Sequence, residues 1–340
     1  MTSQPAVSVI LPAYQAEATI ERAARSILAG CFDSIELVIV DDGSTDGTHD
    51  RATSIAAADQ RVRVIRQEHA GVAAAANVAV GHCRAPLIAR MDADDRADPE
   101  RITRQVELLQ REALDLVGSQ VRIVGTDGAA VATMRRYENW INSVLCHDDI
   151  AAMRFVELPV VNPTVLGRRE MFELGFRGAD SSSAAFPEDY DWFLRAAASG
   201  ARFGKVAAAL LDWTESADRL TRTHEAYTRA AFDRCRRTHL LAGPLAAVGV
   251  VDLWGVGRTG RPWLRWLMDA GLEVRAVYDV NPRLVGREVQ GIPVRHPDQL
   301  TAADGVTMLV AVGAEGARER IAPALSDRGY VSGESAWFVA

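Results

Sequence analysis

Apolar and polar positions alternate in blocks along the first hundred residues. Val7–Leu11 is a short β-branched run ending at Pro12, and it predicts a strand. Glu17–Leu28 sets Ile20, Ala23, Ala24, Ile27 and Leu28 at helical spacing and stops at Gly30. Ile35–Val40 is a continuous apolar strand broken by Asp41-Asp42-Gly43-Ser44. Asp46–Ala58 predicts a helix, Val62–Ile65 a strand, Val72–Cys83 a helix, and Leu87–Met91 a strand that stops at Asp92. Strands alternating with helices imply a mostly parallel sheet with helices on both faces. In such sheets ligands bind at the carboxyl ends of the strands, where the polar clusters Asp41–Asp46 and Asp92–Asp95 fall.

Pro99 opens a further helix to about Glu112, and Leu116–Val124 and Ala129–Met134 flank Thr126-Asp127-Gly128 as a hairpin would. The pattern from Asn139 to Arg222 is less regular, although Pro187–Ser199 reads as a helix with proline and acids in its first turn. Thr223–His239 predicts another helix. A break at Gly243-Pro244 then precedes a second unit that restarts at Val248–Leu253 as strand, glycine-rich turn, helix and strand. The expected class is α/β in two domains, residues 1–240 and a smaller one of 241–340.

Composition narrows the function classes. Apolar residues make up 48% and charged residues 24% of 340, ordinary for a globular protein with material for two cores. The longest apolar stretch, Leu240–Val251, is interrupted by Gly243, Pro244 and Gly249, and is too short to span a bilayer. The amino terminus has no basic segment ahead of its apolar run, so no signal peptide is expected. A net charge of −7 with no basic run argues against nucleic acid as a partner, and Lys205 is the only lysine among 38 basic side chains. Cys31, Cys83, Cys146 and Cys235 are far apart in sequence, so neither a zinc knuckle nor a redox pair is expected, and a cytoplasmic protein is the simplest reading.

The acidic clusters carry candidate chemistry. Arg90-Met91-Asp92-Ala93-Asp94-Asp95 leaves the sheet at a strand end. Two carboxylates one residue apart can share Mg²⁺ or Mn²⁺, which prefer such oxygen ligands and often complete their shell with substrate phosphates. The same segment also reads as a solvated acidic turn ahead of the helix at Pro99. In Asp41-Asp42-Gly43-Ser44-Thr45-Asp46 small residues permit a tight turn and close approach of a ligand. Its carboxylates can accept hydrogen bonds from a base N–H or ribose hydroxyls. It can equally cap the next helix, and both can hold at once.

Taken in order, Val7-Ser8-Val9-Ile10-Leu11-Pro12-Ala13-Tyr14, Asp41-Asp42-Gly43-Ser44-Thr45-Asp46 and Ala89-Arg90-Met91-Asp92-Ala93-Asp94-Asp95 resemble the nucleotide-binding half of family 2 glycosyltransferases, which have the GT-A fold. The resemblance continues to Phe186-Pro187-Glu188-Asp189-Tyr190-Asp191-Trp192, the family's acidic motif before an acceptor-side helix, and covers about residues 5–235. It implies a mixed, mostly parallel sheet flanked by helices. It also implies an inverting, metal-dependent transfer from a nucleoside-diphosphate sugar to a glycan, lipid-linked or small-molecule acceptor. Pro12 and Tyr14 would then line the nucleobase pocket, and Asp42 would read the base edge. Asp94 would ligate the cation directly, with Asp92 touching ribose or metal-bound water. Asp189 would be the base, with Glu188 and Asp191 as neighbours able to share that task. A lipid-linked acceptor would be approached from the inner face of the membrane.

That chemistry needs a cation to neutralise charge developing on the diphosphate and one positioned carboxylate to take the acceptor's proton, worth roughly 10²–10⁴-fold. Repulsion within Glu188-Asp189-x-Asp191 would raise at least one carboxyl toward neutrality; the same acids also suit the first turn of a helix. Two departures from the family stand out. Ala76 precedes Asn77 where relatives often carry Arg, and Arg90 is a candidate substitute. Ser216 stands where many relatives have His in the loop after Leu210–Trp213, and Arg219 and Arg222 are the candidate diphosphate contacts there.

Near the carboxyl end, Val250–Leu253 leads into Gly255-Val256-Gly257-Arg258-Thr259-Gly260, and the strand Val274–Tyr278 ends at Asp279. This resembles a Rossmann-type mononucleotide-binding half, with Gly255, Gly257, Gly260 and Asp279 as a second nucleotide site. The glycines can instead serve strand–helix packing in a docking or regulatory domain. Against the transferase stand two alternatives, an NAD(P)-linked oxidoreductase acting through this domain and a non-catalytic nucleotide-sugar sensor.

Overall fold

In this computed structural model residues 4–177, 186–216, 219 and 224–340 are described. The chain divides into two compact units, one of residues 1–150 and 159–235, the other of 151–158 and 236–340.

The first unit follows the alternation of the sequence. β1 (Val7–Ala13), α1 (Ile20–Leu28), β2 (Ile35–Asp41), α2 (Thr48–Ala58), β3 (Val62–Arg66), α3 (Val72–His82) and β4 (Leu87–Arg90) come in order. All seven residues of β1 and of β2 are buried, as expected of central parallel strands covered on both faces. β5 (Arg96–Ala97), α4 (Arg101–Arg111), β6 (Leu116–Gly125), α5 (Arg135–Ser143), α6 (His147–Met153), β7 (Leu166–Arg168), α7 (Arg169–Phe172), α8 (Glu188–Ala198) and β8 (Phe203–Glu215) follow. The eight strands form one mixed sheet in the order β3-β2-β1-β4-β7-β6-β8-β5. Pairing is parallel from β3 to β4 and antiparallel on both sides of β7.

β1 is the topological switch point, with β2 on one side and β4 on the other. The carboxyl ends of these three strands therefore surround one crevice, where open α/β sheets bind ligands. Val9, Leu11, Leu37 and Ile39 of the sheet pack with Ile20, Ala23, Ile27, Ile102 and Leu109 of the helices. Each large aliphatic side chain so buried contributes about 1.5–3 kcal/mol. At the opposite end of the sheet, the buried Glu36 accepts hydrogen bonds from Ser8 (2.6 Å) and from Arg84 (2.6 and 2.7 Å), so that carboxylate is consumed by the fold.

The hairpin expected at Thr126-Asp127-Gly128 closes only briefly. Gly125 donates to the Ala129 carbonyl and Val124 bridges Ala130, but Ala132–Met134 coils into a 3₁₀ turn that leads into α5. The tertiary position of α5, whose Glu138 accepts the Ile123 N–H at 2.6 Å, overrides the strand pattern.

α9 (Arg229–Ala242) leads into the second unit, which contains β9 (Val250–Trp254), α10 (Gly260–Asp269), β10 (Glu273–Tyr278), β11 (Glu288–Val289), β12 (Ile292–Arg295), β13 (Thr307–Val310), α11 (Ala317–Ser326) and β14 (Ala336–Phe338). Its sheet has the order β11-β12-β10-β9-β13-β14, parallel except at β11, and switches at β9. No helix among the described residues is long and apolar enough to cross a membrane.

Candidate active site

Three segments of the first unit carry the candidate chemistry. The first is an aromatic platform. Pro12 is buried near the end of β1, and Tyr14, just beyond it, is 47% exposed and stacks on His69 with ring centroids 4.1 Å apart. Asp42, 2% exposed, holds the segment that carries His69. One of its oxygens accepts from Gln67 Nε2 (2.6 Å) and the Ala70 N–H (3.0 Å), and the other accepts the Gly71 N–H (2.8 Å) and lies 2.9 Å from His69 Nδ1. Asp42 is thus the anchor of the platform, and a base N–H reaching it would have to displace Gln67 or His69. Gly43 makes this closeness possible: its φ is +74° and a Cβ there would stand 2.7 Å from the His69 nitrogen. Asp46 caps α2 through Thr48 and also accepts the Glu17 N–H, so it does the capping while Asp42 holds the platform.

The second segment is the acidic turn after β4. It is clamped from three sides. Arg101, fully buried on α4, donates to the Arg90 carbonyl at 2.5 Å. Thr214 of β8 donates its N–H to Asp95 (2.8 Å) and its hydroxyl to the Asp94 carbonyl (2.6 Å), and Arg22 reaches that same carbonyl at 2.7 Å. Burial, and then the charge of Asp92, pushes the Asp94 carboxyl above its ordinary value, while Arg219 and Arg22 oppose the rise. Burial, reinforced by Asp94 and Asp92, raises Asp95 still further. One oxygen of Asp95 is buried without a hydrogen-bond partner. Clustered acids with an unsatisfied hard oxygen suit a divalent cation of the Mg²⁺ or Mn²⁺ kind, with Asp92 and Asp94 as the residues able to hold it.

The third segment is the first turn of α8. Asp189 accepts the Tyr190 N–H at 2.7 Å, and burial followed by the charge of Glu188 pushes its carboxyl up to about 7, against the pull of Arg90. Glu188 is buried and receives the hydroxyl of Tyr227. Asp191 points elsewhere: it is ion-paired at 2.8 Å with Arg195, which also holds the carbonyls of Leu174 and Gly175.

Arg90 joins the second and third segments. Its guanidinium is 2% exposed, donates from Nε to Asp92 at 3.0 Å, lies 5.3 Å from the Phe176 ring centroid, and feels the charges of Asp92, Glu188 and Asp189. One terminal nitrogen, Nη1, is buried without a partner. Asn77 fixes Phe176 by two 2.7 Å hydrogen bonds, and Ala76 beside it is fully buried. Arg219 donates to Glu215 (2.8 Å), lies 4.3 Å from the centre of the Trp213 ring, and is close enough to act on Asp94 and Asp95. Arg222 lies outside the described residues.

Sequence reasoning overlooked His69 and Tyr227. The signal for His69 was weak, a histidine two residues before the Gly71 that opens α3. Tyr227 had none, since it comes from a 3₁₀ turn, Glu225–Tyr227, where a continuous helix was expected.

In the second unit, the Gly255–Gly260 turn follows β9. Gly255 has φ +94°, and a Cβ on Gly260 would overlap the Gly255 carbonyl oxygen, so both glycines are required by strand–helix packing. Around Gly257 the space is open. Asp279 accepts the N–H groups of Val256 and Asn281, both at 2.9 Å, and so braces the turn.

Comparison with known proteins places the fold. The model of glycosyl transferase family 2 matches residues 8–176. The putative glycosyltransferase EpsE of Bacillus subtilis is 31% identical over 215 residues, which are 57% of this chain and 77% of that protein. The chain belongs to glycosyl transferase family 2. The succinoglycan biosynthesis protein ExoU of Rhizobium meliloti is 32% identical over 209 residues, 58% of each chain. The chain spans about half the length of the first curated relatives it matches. Residues 1–349 of S. aureus TarS, solved with UDP-GlcNAc, superpose with a TM-score of 0.54 at 18% identity, over 70% of this chain and 67% of that one. The family 2 domain thus has the GT-A fold expected from its motifs. The model of a CoA binding domain matches residues 249–329, consistent with the Rossmann-like sheet of the second unit.

Proposed function

We propose that the family 2 domain is the catalytic part of an inverting, cation-dependent glycosyltransferase. It moves a sugar from a nucleoside-diphosphate sugar to an acceptor hydroxyl in the assembly of a cell-surface glycan or polysaccharide. The observation that carries this reading is the buried guanidinium of Arg90, which acts on Asp92 of the acidic turn and on Glu188 and Asp189 of α8 at once. A cation-type acid pair and a carboxyl near neutrality are thereby brought to one place, as transfer from a diphosphate requires.

In this reading the nucleobase lies against the Tyr14–His69 stack, with Pro12 beneath it. Asp94 and Asp92 hold Mg²⁺ or Mn²⁺, which when bound neutralises charge on the departing diphosphate. Arg219, the unpartnered Nη1 of Arg90 and Arg222 are the protein's own cations for those oxygens. Asp189 takes the proton of the attacking hydroxyl. The acceptor oxygen forms its bond to the anomeric carbon as the bond to the diphosphate breaks, and the electron pair leaves with the diphosphate. A single displacement inverts the anomeric centre. Asp191, tied to Arg195, pins the helix and leaves the proton transfer to Asp189. The polysaccharide assignment rests on ExoU, named for succinoglycan biosynthesis. The work is placed in the cytoplasm, at the inner face of the membrane where the acceptor is lipid-linked. For the second unit, the open space at Gly257 favours a nucleotide-bearing ligand over the turn, with Asp279 bracing that turn.

The test is release of nucleoside diphosphate from a panel of nucleotide sugars with Mn²⁺. Asp189→Asn should keep donor affinity within about twofold and lose turnover by roughly 10²–10⁴-fold. Retained turnover would move the base elsewhere.

A further inference from the structure

Tyr227 stands outside every motif in the sequence, yet its hydroxyl donates to Oε2 of Glu188, the residue next to the candidate base. It enters from a separate element, the 3₁₀ turn Glu225–Tyr227. We propose that Tyr227 is a positioning residue of the transfer reaction: its hydroxyl holds Glu188 so that Asp189 alone is left to receive the acceptor's proton.

The argument rests on the proposed function and on geometry. Two adjacent carboxylates at the start of α8 compete for any proton that arrives between them, and a shared proton would disable the base. Arg90 and Asp92, at the end of β4, and Tyr227 act on the pair. The exposed ring of His224 packs edge-on to Tyr227 at 6.3 Å and spends Nδ1 on the Ala226 N–H. Tyr227 donates to Glu188, and burial beside Glu188 and Asp189 holds its hydroxyl well above the usual phenol range. It therefore stays a donor at every working pH. With an oxygen of Glu188 engaged by that hydroxyl, Asp189 is left as the proton acceptor. A donor to the pair stabilises the fully ionised state, so removing it makes the pair hold its last proton more tightly.

The test has two arms. In protein labelled with ¹³C at tyrosine Cζ, the Tyr227 signal, assigned with Tyr227→Phe, should titrate with a midpoint near 7 and stop doing so in Asp189→Asn. A flat signal in the wild-type protein would overturn the proposal whatever the enzyme does. In the pH profile of turnover, Tyr227→Phe should shift the acidic limb upward by at least about half a unit and lower kcat about tenfold, with the donor KM unchanged. In a Glu188→Gln background the same substitution should leave the limb where it is. A limb unmoved by Tyr227→Phe, or moved equally in the Glu188→Gln background, would overturn it. If instead Asp189→Asn keeps full turnover, the base assignment fails, and that failure is read separately.

Discussion

Arg90 sits at the end of β4 with its guanidinium opposed to Asp189 on the first turn of α8, and this is the positive charge that restrains the rise of the Asp189 carboxyl. The two residues are 99 positions apart in sequence. Their meeting makes a base out of an acidic helix start and ties that base to the acidic turn through Asp92. Arg90→Met should therefore leave Asp92 and Asp189 without their shared cation. Turnover should fall at least about 10²-fold, and Arg90→Lys should recover little, because a point charge cannot reproduce the fork that reaches Asp92 and overlies Phe176. Steady-state kinetics on both variants checks this.

The base is held at the expense of stability. The folded-state carboxyl of Asp189 is raised to about 7 from an ordinary value near 3.8, so the folded protein binds the extra proton between those limits. The penalty is absent below about pH 4 and complete above about pH 7. Asp189→Asn should thus melt a few degrees higher than the wild-type protein at pH 8, with the gain vanishing near pH 4. Calorimetry at the two pH values reads it.

Lys205, the only lysine, tests the same logic with the opposite sign. It is buried on β8, donates to the carbonyls of Ile141 and Pro159, and burial pushes its ammonium down to about 7. The unfolded chain binds more protons between pH 7 and about 10.4, so stability grows as pH rises through that window. Lys205→Met leaves both carbonyls unpartnered, at about 1–3 kcal/mol each, and removes that rise. The difference in melting temperature, wild type minus Lys205→Met, should increase from pH 7 to pH 10.

Gly43→Ala should damage the platform without touching the acids. A side chain at φ +74° and 2.7 Å from the His69 nitrogen must push the 67–71 segment away. The strain is about 1–3 kcal/mol, and nucleotide affinity should drop about tenfold or more while cation binding to the acidic turn persists. Titration of nucleoside diphosphate and of Mn²⁺ separates the two effects.

Much of this was legible in the residues. β1, β2 and β4 read as strands because their apolar runs are continuous, and a central parallel strand leaves no other pattern. The acidic turn and the start of α8 were visible because carboxylates cluster where apolar runs stop. The structure adds most where partners are distant. The run Ala129–Met134 reads as a strand until α5 draws it into a 3₁₀ turn. Asp191 looks like Asp189 in sequence, and only the fold shows Arg195 one helical turn away taking its charge. Asp279 sits at the spacing of a ribose-binding acid but is bonded to its own turn. Tyr227 acts from a segment whose composition says nothing of Glu188.

The most direct measurement is calorimetric titration of UDP and GDP into the full chain, with and without Mn²⁺, alongside the Asp94→Ala variant. The account predicts that one of these nucleotides binds in a cation-dependent way and that Asp94→Ala abolishes the dependence. Binding that ignores both the cation and Asp94, or no binding by either nucleotide, would contradict it.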